Sequence, residues 1–246
     1  MGGDRVKPQE PEETRMKIQW LGHSAFKVVA GGAQVLFDPF LTGNPKFSGD
    51  VGDIIKGTTH VLLTHAHNDH FGDTIDILKK TGATLVSTWE LCVYAQSVAS
   101  DVKTRPMNTG GTAQVGPIAA TMVRAYHSSS YNAPDGKVIY GGMPTGLILR
   151  VEGRSVYHMG DTDLYSDMAL TQQFYRPEIG IVPIGDNFTM GPETAAYAVN
   201  TWFDFKTVIP CHYATFPPLV QSADAFKARV KKGEVWAPAP MEMREF

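Results

Sequence analysis

The chain has 246 residues, a formal net charge of −3, and 43% hydrophobic against 19% charged residues. That length is enough for one large α/β domain with a sizeable core, and the composition is ordinary for a globular protein. The weak negative charge, without a basic stripe interleaved with aromatic residues, argues against a nucleic-acid partner. No apolar stretch approaches the roughly 18 residues that a membrane span needs. We therefore expect a small-molecule substrate as partner, with homo-oligomers left open.

The cysteines and the amino terminus bear on the compartment and on the ordered part of the chain. Cys92 and Cys211 do not form a disulfide framework and no signal peptide is visible, so we expect a cytoplasmic protein. Residues 1–15 are polar and lack periodic apolar positions, a composition that cannot bury enough surface to order itself. We expect a disordered tail, an expression remnant or a misassigned start over 1–15, and one folded domain over 16–246.

The apolar periodicity predicts alternating strands and helices in two similar halves. In the first half the strands lie near 17–21, 25–29, 33–38, 60–64 and 84–87, and the helices near 71–80 and 89–98. In the second half the strands lie near 112–115, 118–125, 145–151, 154–159, 179–183, 207–211 and 234–237, and the helices near 166–174, 192–203 and 222–232. This order indicates an α/β protein whose two packed sheets carry helices on their outer faces.

A cluster of three histidines and one aspartate directly follows the apolar tract 61–63. His65 and His67 leave the strand end with one residue between them, so a short turn can direct both rings at one cation. Asp69 and His70 would open the helix near 71–80, about one turn further on, which suits a second cation. Neutral imidazoles and carboxylates are the ligands that borderline divalent cations bind. Two such ions about 3.5–4 Å apart can share a bridging hydroxide and polarise one scissile bond.

This run resembles the signature of the metallo-β-lactamase superfamily, whose members bind one or two metals between two sheets. The resemblance implies a four-layer αββα sandwich, in which two mixed β-sheets pack face to face with helices outside. It also implies three further ligands downstream, in the order His, Asp, His. His127, Asp161 and His212 each follow a predicted strand in that order.

The resemblance implies two divalent metal ions per chain, zinc in the first place, with manganese or iron as alternatives. The implied ligands are His65, His67 and His127 for the first ion, Asp69, His70 and His212 for the second, and Asp161 as the bridge between them.

Two further residues are candidates for roles beside the metals. Asp38 ends a predicted strand before Pro39 and would accept the second N–H of a metal-bound histidine, as the superfamily's aspartate does beneath the histidine loop. A simple turn aspartate is the alternative. His23 lies in a tight turn after Gly22, where its ring could face the cleft, contact substrate or protonate a leaving group. A capping or surface role is the alternative for His23.

The segment 185–192 is a candidate substrate loop. It leaves a predicted strand and enters a helix with Pro192 in the first turn, and helix amino termini bind anions. Asn187 and Thr189 could add hydrogen bonds, and Phe188 or Met190 an apolar wall. A plain helix-entry loop is the alternative.

The expected chemistry is hydrolysis. No Gly-x-Ser-x-Gly nucleophile elbow is visible, so we expect a metal-bridging hydroxide as nucleophile, with Asp69 and Asp161 orienting the water. The chain resembles the small single-domain metal-dependent hydrolases related to ascorbate-6-phosphate lactonase through the histidine motif and through 22–26, 37–39, 160–162 and 210–212. The resemblance implies a dinuclear, lactonase-like enzyme that opens an ester or amide bond of a small anionic or cyclic metabolite. A phosphodiesterase and a non-catalytic metal- or ligand-binding protein are the alternatives.

Overall fold

Residues 15–246 are the part of the chain that the computed structural model describes, and they form sixteen strands and seven helices. The strands are β1 (Lys17–Gly22), β2 (Ala25–Ala30), β3 (Ala33–Phe37), β4 (His60–Leu62), β5 (Thr84–Thr88), β6 (Lys103–Met107), β7 (Thr112–Val115), β8 (Ile118–Arg124), β9 (Ser130–Asn132), β10 (Val138–Tyr140), β11 (Thr145–Val151), β12 (Arg154–His158), β13 (Ile179–Pro183), β14 (Thr207–Cys211), β15 (Glu234–Val235) and β16 (Met243–Glu245). The helices are α1 (Val51–Ile55), α2 (Asn68–Phe71), α3 (Thr74–Thr81), α4 (Trp89–Val98), α5 (Met168–Tyr175), α6 (Pro192–Trp202) and α7 (Asp224–Lys227).

Two seven-stranded mixed sheets hold most of these strands. The first has the order β16-β1-β2-β3-β4-β5-β6, and the second has the order β15-β14-β13-β12-β11-β8-β7. Strands β9 and β10 pair with each other as a separate antiparallel hairpin. Each sheet joins parallel pairs, such as β3 with β4 and β13 with β14, to antiparallel ones, such as β1 with β2 and β8 with β11. This is the pair of mixed sheets expected from the sequence.

The layers follow from the alternation of side chains along each strand. Neighbouring strand residues point to opposite faces, so one strand serves two interfaces. Phe37 and Leu62 belong to the core between the two sheets, whereas Leu36 and Val61 pack with Ile77 of α3 on the outer face of the first sheet. On the second sheet, the outer layer contains apolar residues of α5 and α6. The fold is therefore the four-layer αββα sandwich that the sequence predicts.

One edge of the sandwich collects the carboxyl ends of the strands that matter for function. Strands β3 and β4 are parallel, and β1 runs in the same direction because it is antiparallel to β2, which is antiparallel to β3. In the second sheet β8, β12, β13 and β14 run in a common direction for the same reason. Loops that leave these strands therefore meet between the two sheets.

The predicted helix at 71–80 is wrong at its start. Asn68–Phe71 is a separate short helix, and the longer helix begins only at Thr74. Gly72 separates them with φ +42°, and a Cβ there would lie 2.8 Å from the backbone nitrogen of Phe40. That backbone approach breaks the helix, so Asp69 and His70 stand on their own turn rather than at the head of α3.

Other differences lie at short or peripheral elements. The helix expected at 222–232 is only Asp224–Lys227, and the last predicted strand shortens to Glu234–Val235. The sequence did not predict α1, β6, β9, β10 or β16. Most of the expected tail, residues 1–14, lies outside the described residues. Across 15–246, no helix has both the length and the apolar character needed to cross a membrane.

Candidate metal centre

The strand ends at the functional edge bring together every residue of the expected metal centre. His65 follows β4, and His127, Asp161 and His212 follow β8, β12 and β14. Their side chains meet those of His67, Asp69 and His70 from the loop and short helix that follow β4. Among residues 15–246, three groups of side chains present potential ligand atoms within 4.8 Å of one another: His65, His67 and His127; His65, His70 and Asp161; and His23, Asp69, His70 and His212.

Asp161 lies at the middle of this arrangement. Its Oδ2 lies 3.0 Å from His212 Nε2 and 3.3 Å from His70 Nε2. The same oxygen lies 3.6 Å from His127 Nε2 and 3.9 Å from His65 Nε2. One carboxylate oxygen therefore faces four imidazole nitrogens that come from both sheets.

The first group contains three imidazole nitrogens directed at one another. His67 Nδ1 lies 3.1 Å from His65 Nε2 and 3.3 Å from His127 Nε2. The opposite nitrogen of His67 lies 3.3 Å from the hydroxyl oxygen of Ser128. Two ligands with bonds of about 2.1 Å to one ion stand about 3.0–3.4 Å apart at ordinary bond angles. The spacing of these three nitrogens matches that separation.

Asp38 fixes which nitrogen of two of these rings carries the proton. Thr64 donates its backbone N–H to Asp38 Oδ1 at 2.8 Å and its hydroxyl to Oδ2 at 2.7 Å. The Thr64 oxygen then accepts from His65 Nδ1 at 3.0 Å, and Asp38 Oδ2 accepts from His70 Nδ1 at 2.8 Å. A neutral imidazole has one N–H, so each of these rings presents a bare Nε2 to the centre when it is neutral.

The backbone at the site is strained at three non-glycine residues. His23, Asp38 and His212 have φ values of +54°, +42° and +57°. A non-glycine residue in this region costs on the order of 1–3 kcal/mol and persists only where the surrounding structure over-determines it. His23 and His212 direct their rings into the centre and Asp38 holds His70 there, which links the strain to the site.

The ionisation of the site fits cation binding. Burial lowers the pKa of His65, His67 and His127, so these imidazoles are neutral at pH 7. Burial raises the pKa of Asp161, but neighbouring His212 and His70 outweigh it and hold that pKa well below its usual value. Burial also raises the pKa of Asp69, but neighbouring His23 and His70 outweigh it and hold that pKa below its usual value, so Asp69 too is an ionised carboxylate.

His70 is the exception, because a carboxylate lies at each of its ring nitrogens. Burial lowers its pKa, but the charges of Asp161 and Asp38 outweigh that effect and raise the pKa well above its usual value. Without a cation, the His70 ring therefore carries a second proton, on Nε2. A divalent cation would replace that proton, since metal ligands bind in deprotonated form.

Unpartnered buried atoms support the same fit. His70 Nε2 and Asp161 Oδ1 are buried without a hydrogen-bond partner, although His70 Nε2 lies 3.3 Å from Asp161 Oδ2. That contact is close in distance but does not have hydrogen-bond geometry. Buried polar atoms normally have hydrogen-bond partners. Two buried atoms without a partner in the middle of a histidine cluster therefore indicate that a metal ion binds them.

An open cleft of about 360 Å³ leads from solvent to the centre. Its walls come from the histidine loop, the helix-entry loop and the β9–β10 hairpin, and its lining residues are His67, Asn68, Asp69, His127, Ser128, Asn132, Asp161, Phe188 and His212. The hairpin is tied to α2 by two hydrogen bonds, from the Asn68 amide to the Asn132 carbonyl and from the Asn132 N–H to the Asn68 side-chain oxygen, each 3.0 Å. Gly141 after the hairpin touches the histidine loop so closely that a Cβ would overlap the side chain of Ala66.

The expected substrate loop reaches the cleft with one of its four residues. Phe188 is 57% exposed and forms part of the cleft wall, whereas Asn187 and Thr189 do not line it. Met190 as an apolar wall is wrong, because its side chain is buried in the hydrophobic core and does not line the cleft. The amino terminus of α6 opens on a different cleft, where Asp186 already supplies a carboxylate. The helix terminus predicted to bind a substrate anion therefore does not open on the cleft that leads to the metal centre.

None of the three ligand groups contains His158, His60 or Cys211. His158 accepts from the Gly160 N–H at 3.0 Å and donates Nε2–H to the Ser24 carbonyl at 2.9 Å, so both nitrogens are used by backbone. His60 opens β4 and lies 2.8 Å from the Thr59 hydroxyl. Cys211, which precedes His212, is fully buried in the core.

His23 is buried at the floor of the site and does not line the cleft. Its Nε2 lies 3.1 Å from Asp69 Oδ2, and its Nδ1 lies 3.0 Å from the Thr215 hydroxyl. Burial, reinforced by neighbouring His212, lowers the pKa of His23 to about 4. The sequence placed this residue in a turn but could not show which side chains the turn would bring it against.

Comparison with known proteins places this site in a family. The model of the β-lactamase superfamily domain matches residues 17–212. A UPF0173 metal-dependent hydrolase from Methylocella silvestris is 49% identical over 226 residues, which cover 92% of this chain and 97% of the relative. A second UPF0173 metal-dependent hydrolase, from Chelativorans sp., is 52% identical over 214 residues, which cover 86% of this chain and 91% of the relative.

Solved structures agree. Igni18, a metallo hydrolase from the archaeon Ignicoccus hospitalis, has a TM-score of 0.83 at 33% identity, over 95% of this chain and 99% of that one. An isothiocyanate hydrolase from Delia radicum gut bacteria has a TM-score of 0.73 at 16% identity, over 94% and 99%, a likeness that shows the fold alone. The sequence-based resemblance is confirmed: the chain belongs to the metallo-β-lactamase superfamily, among its small metal-dependent hydrolases.

Proposed function

We propose that this protein is a dinuclear metal-dependent hydrolase that opens the ester or amide bond of a small cyclic metabolite such as a lactone. The observation that carries the proposal is Asp161 Oδ2, a buried carboxylate oxygen within 3.0–3.9 Å of four imidazole nitrogens. The donors are all nitrogen or oxygen, which suits zinc in the first place and manganese or iron as alternatives. The proposed ligands are His65, His67, His127, Asp69, His70, His212 and the bridging Asp161.

The surrounding residues suit attack on a carbonyl group. Bound divalent ions would supply Lewis acidity and lower the pKa of a nearby water to about 7. Asp69 is 31% exposed in its side chain and lines the cleft, so it can accept a hydrogen bond from the attacking water and orient it. Ser128, just before the hairpin, and Asn132 on the hairpin offer neutral donors to the substrate, and Phe188 offers an apolar wall.

The residues that line the cleft also limit the class of substrate that we propose. Among residues 15–246, the cleft is lined by no lysine or arginine. Away from the ions, an anionic group would therefore find no fixed positive side chain, which disfavours a substrate with a charge remote from the reacting bond. The volume of about 360 Å³ falls in the usual range for small-molecule sites. We therefore place a neutral lactone or cyclic amide first.

A metal and substrate screen tests the proposal. Elemental analysis of the purified protein is expected to find up to two first-row metal ions per chain. Lactones, cyclic amides and bis-p-nitrophenyl phosphate, each tested with zinc, manganese and iron, are expected to show turnover on the first two classes. Turnover of the phosphodiester alone would overturn the substrate class. A protein that stays inert with two bound ions would instead support a non-catalytic binding role.

Metal affinity is expected to rise with pH. In the metal-free protein the pKa of His70 lies well above its usual value, so at pH 7 this ring carries a proton that the cation must displace. Below that pKa, each unit of pH lost is expected to weaken binding at the second site by about tenfold. Calorimetry in buffers of different ionisation enthalpy measures the proton released. An affinity that stays flat between pH 6 and 8 would contradict the role of His70.

A further inference from the structure

His23 occupies a position that the histidine motif does not supply. It lies in the turn between β1 and β2, far along the chain from the other site residues, and its ring is fully buried. Its Nε2 belongs to a group of four potential ligand atoms, with Asp69, His70 and His212, all within 4.8 Å of one another. The ring centroids of His23 and His212 are 4.1 Å apart. His23 thus lies among the residues that the proposal assigns to the second ion.

The hydrogen bonds around His23 indicate where its proton lies. The Thr215 hydroxyl donates to the Tyr213 carbonyl at 3.1 Å, so its oxygen accepts from His23 Nδ1 at 3.0 Å. A neutral imidazole has one N–H, which leaves a bare Nε2 facing the carboxylate oxygen of Asp69 at 3.1 Å. Two acceptors repel at that distance unless they share a cation. Their separation matches the roughly 3.0–3.4 Å between two ligands of one ion.

The backbone holds this ring inward against its own preference. His23 and His212 both have positive φ values, and they are joined by a hydrogen bond from the His212 N–H to the His23 carbonyl at 3.1 Å. The Trp20 indole donates to the same carbonyl at 2.9 Å. Strain that is stabilised by two such contacts clusters at sites of function. The turn is therefore built to present the imidazole to the centre.

We propose that His23 is a ligand of the second metal ion and completes that site. The proposal rests on the proposed function, since it adds an eighth side chain to the same dinuclear centre. The second ion then has five protein donors, from His23, Asp69, His70, Asp161 and His212, whereas the first has four. The ring of His23 keeps its proton on the side of Thr215, away from the cleft. Protonation of a leaving group therefore falls to a group on the cleft side, not to His23.

A rival role is that His23 donates Nε2–H to Asp69 and only positions that carboxylate. In that case Thr215 would donate to His23 instead of to Tyr213. A glutamine at this position distinguishes the two roles. Its amide can donate a hydrogen bond to Asp69, but it is a poor substitute for an imidazole as a metal ligand. His23→Gln therefore rescues a positioning role and fails to rescue a ligand role.

The experiment measures zinc binding rather than turnover. Wild type, His23→Ala and His23→Gln are titrated with Zn²⁺ against a competing chelator, and the ligand-field spectra of the Co²⁺-loaded proteins are recorded. We expect both variants to keep the first ion and to lose more than about 100-fold in affinity for the second. Replacing a residue that only orients a metal ligand typically costs roughly 10–100-fold in metal affinity. The visible Co²⁺ spectrum of the second site is expected to change in both.

His60→Ala is the matched control, because His60 is a buried imidazole outside the centre and its loss is expected to leave both affinities unchanged. Wild-type affinity and spectrum in His23→Gln would overturn the ligand role, and so would two tightly bound ions in His23→Ala. Failure of the wild type to bind two ions is a different result, since it would overturn the proposed function itself. Circular dichroism of each variant separates loss of a ligand from loss of the fold.

Discussion

Asp161→Asn is expected to lower kcat/KM by about 10³-fold or more on whichever substrate the wild type turns over, which is about 4 kcal/mol of transition-state stabilisation. The reason is geometric. Asp161 Oδ2 lies close to four imidazole nitrogens, and in the proposed dinuclear centre a neutral amide could not replace this carboxylate as the anionic bridge. Steady-state kinetics and elemental analysis on the same preparation measure the effect, and we expect metal content to fall together with activity.

Asp163→Asn is the matched control for that variant. Asp163 lies two residues further on, is exposed, and accepts a hydrogen bond from the neighbouring Leu164 N–H at 2.6 Å. Its replacement is expected to leave kinetics and metal content unchanged. Unchanged turnover in a folded Asp161→Asn protein would remove Asp161 from the bridging position, whereas equal losses in both variants would point to damage of the loop.

Most of the site residues could be predicted from the sequence because they follow the ends of recognisable strands. A buried strand is recognisable from its apolar run, and the first polar residue after it must emerge at the sheet edge. Asp38, Asp161 and His212 all follow that rule, and the structure brings them together at one edge. His127 follows β8 after a gap of two residues and still reaches the same place.

What the sequence could not supply depends on contacts between distant segments. Strand β6 is largely exposed and contains Pro106, so it has no apolar alternation and its pairing with β5 comes from the fold. Strand β16 pairs with β1 across almost the whole chain. His23 lies in a turn whose positive φ value no local pattern indicates. The burial of Met190 depends likewise on the path of its loop back to Thr162, whose carbonyl accepts the Met190 N–H at 3.0 Å.

Asp38→Asn is expected to weaken metal binding by about 10–100-fold, the range typical of a partner that orients a ligand. Asp38 accepts three hydrogen bonds, two from Thr64 and one from His70. An amide replaces one oxygen with a donor, which then meets either the Thr64 N–H or the two donors at Oδ2. The buried mismatch is also expected to cost about 1–3 kcal/mol in the free energy of unfolding. Chelator competition and urea unfolding measure the two effects.

Asparagine suits this test because it tolerates the positive φ that residue 38 adopts, at +42°, so the backbone adds little strain of its own. Asp73→Asn supplies the comparison. Asp73 accepts the backbone N–H groups of Leu41 and Thr42, both at 2.8 Å, and touches no metal ligand through these bonds. The Asp73→Asn protein is expected to lose stability against urea and to keep the wild-type affinity for zinc. If both variants lose stability and both keep wild-type zinc affinity, then Asp38 supports the fold alone and the protons of His65 and His70 are fixed by other means.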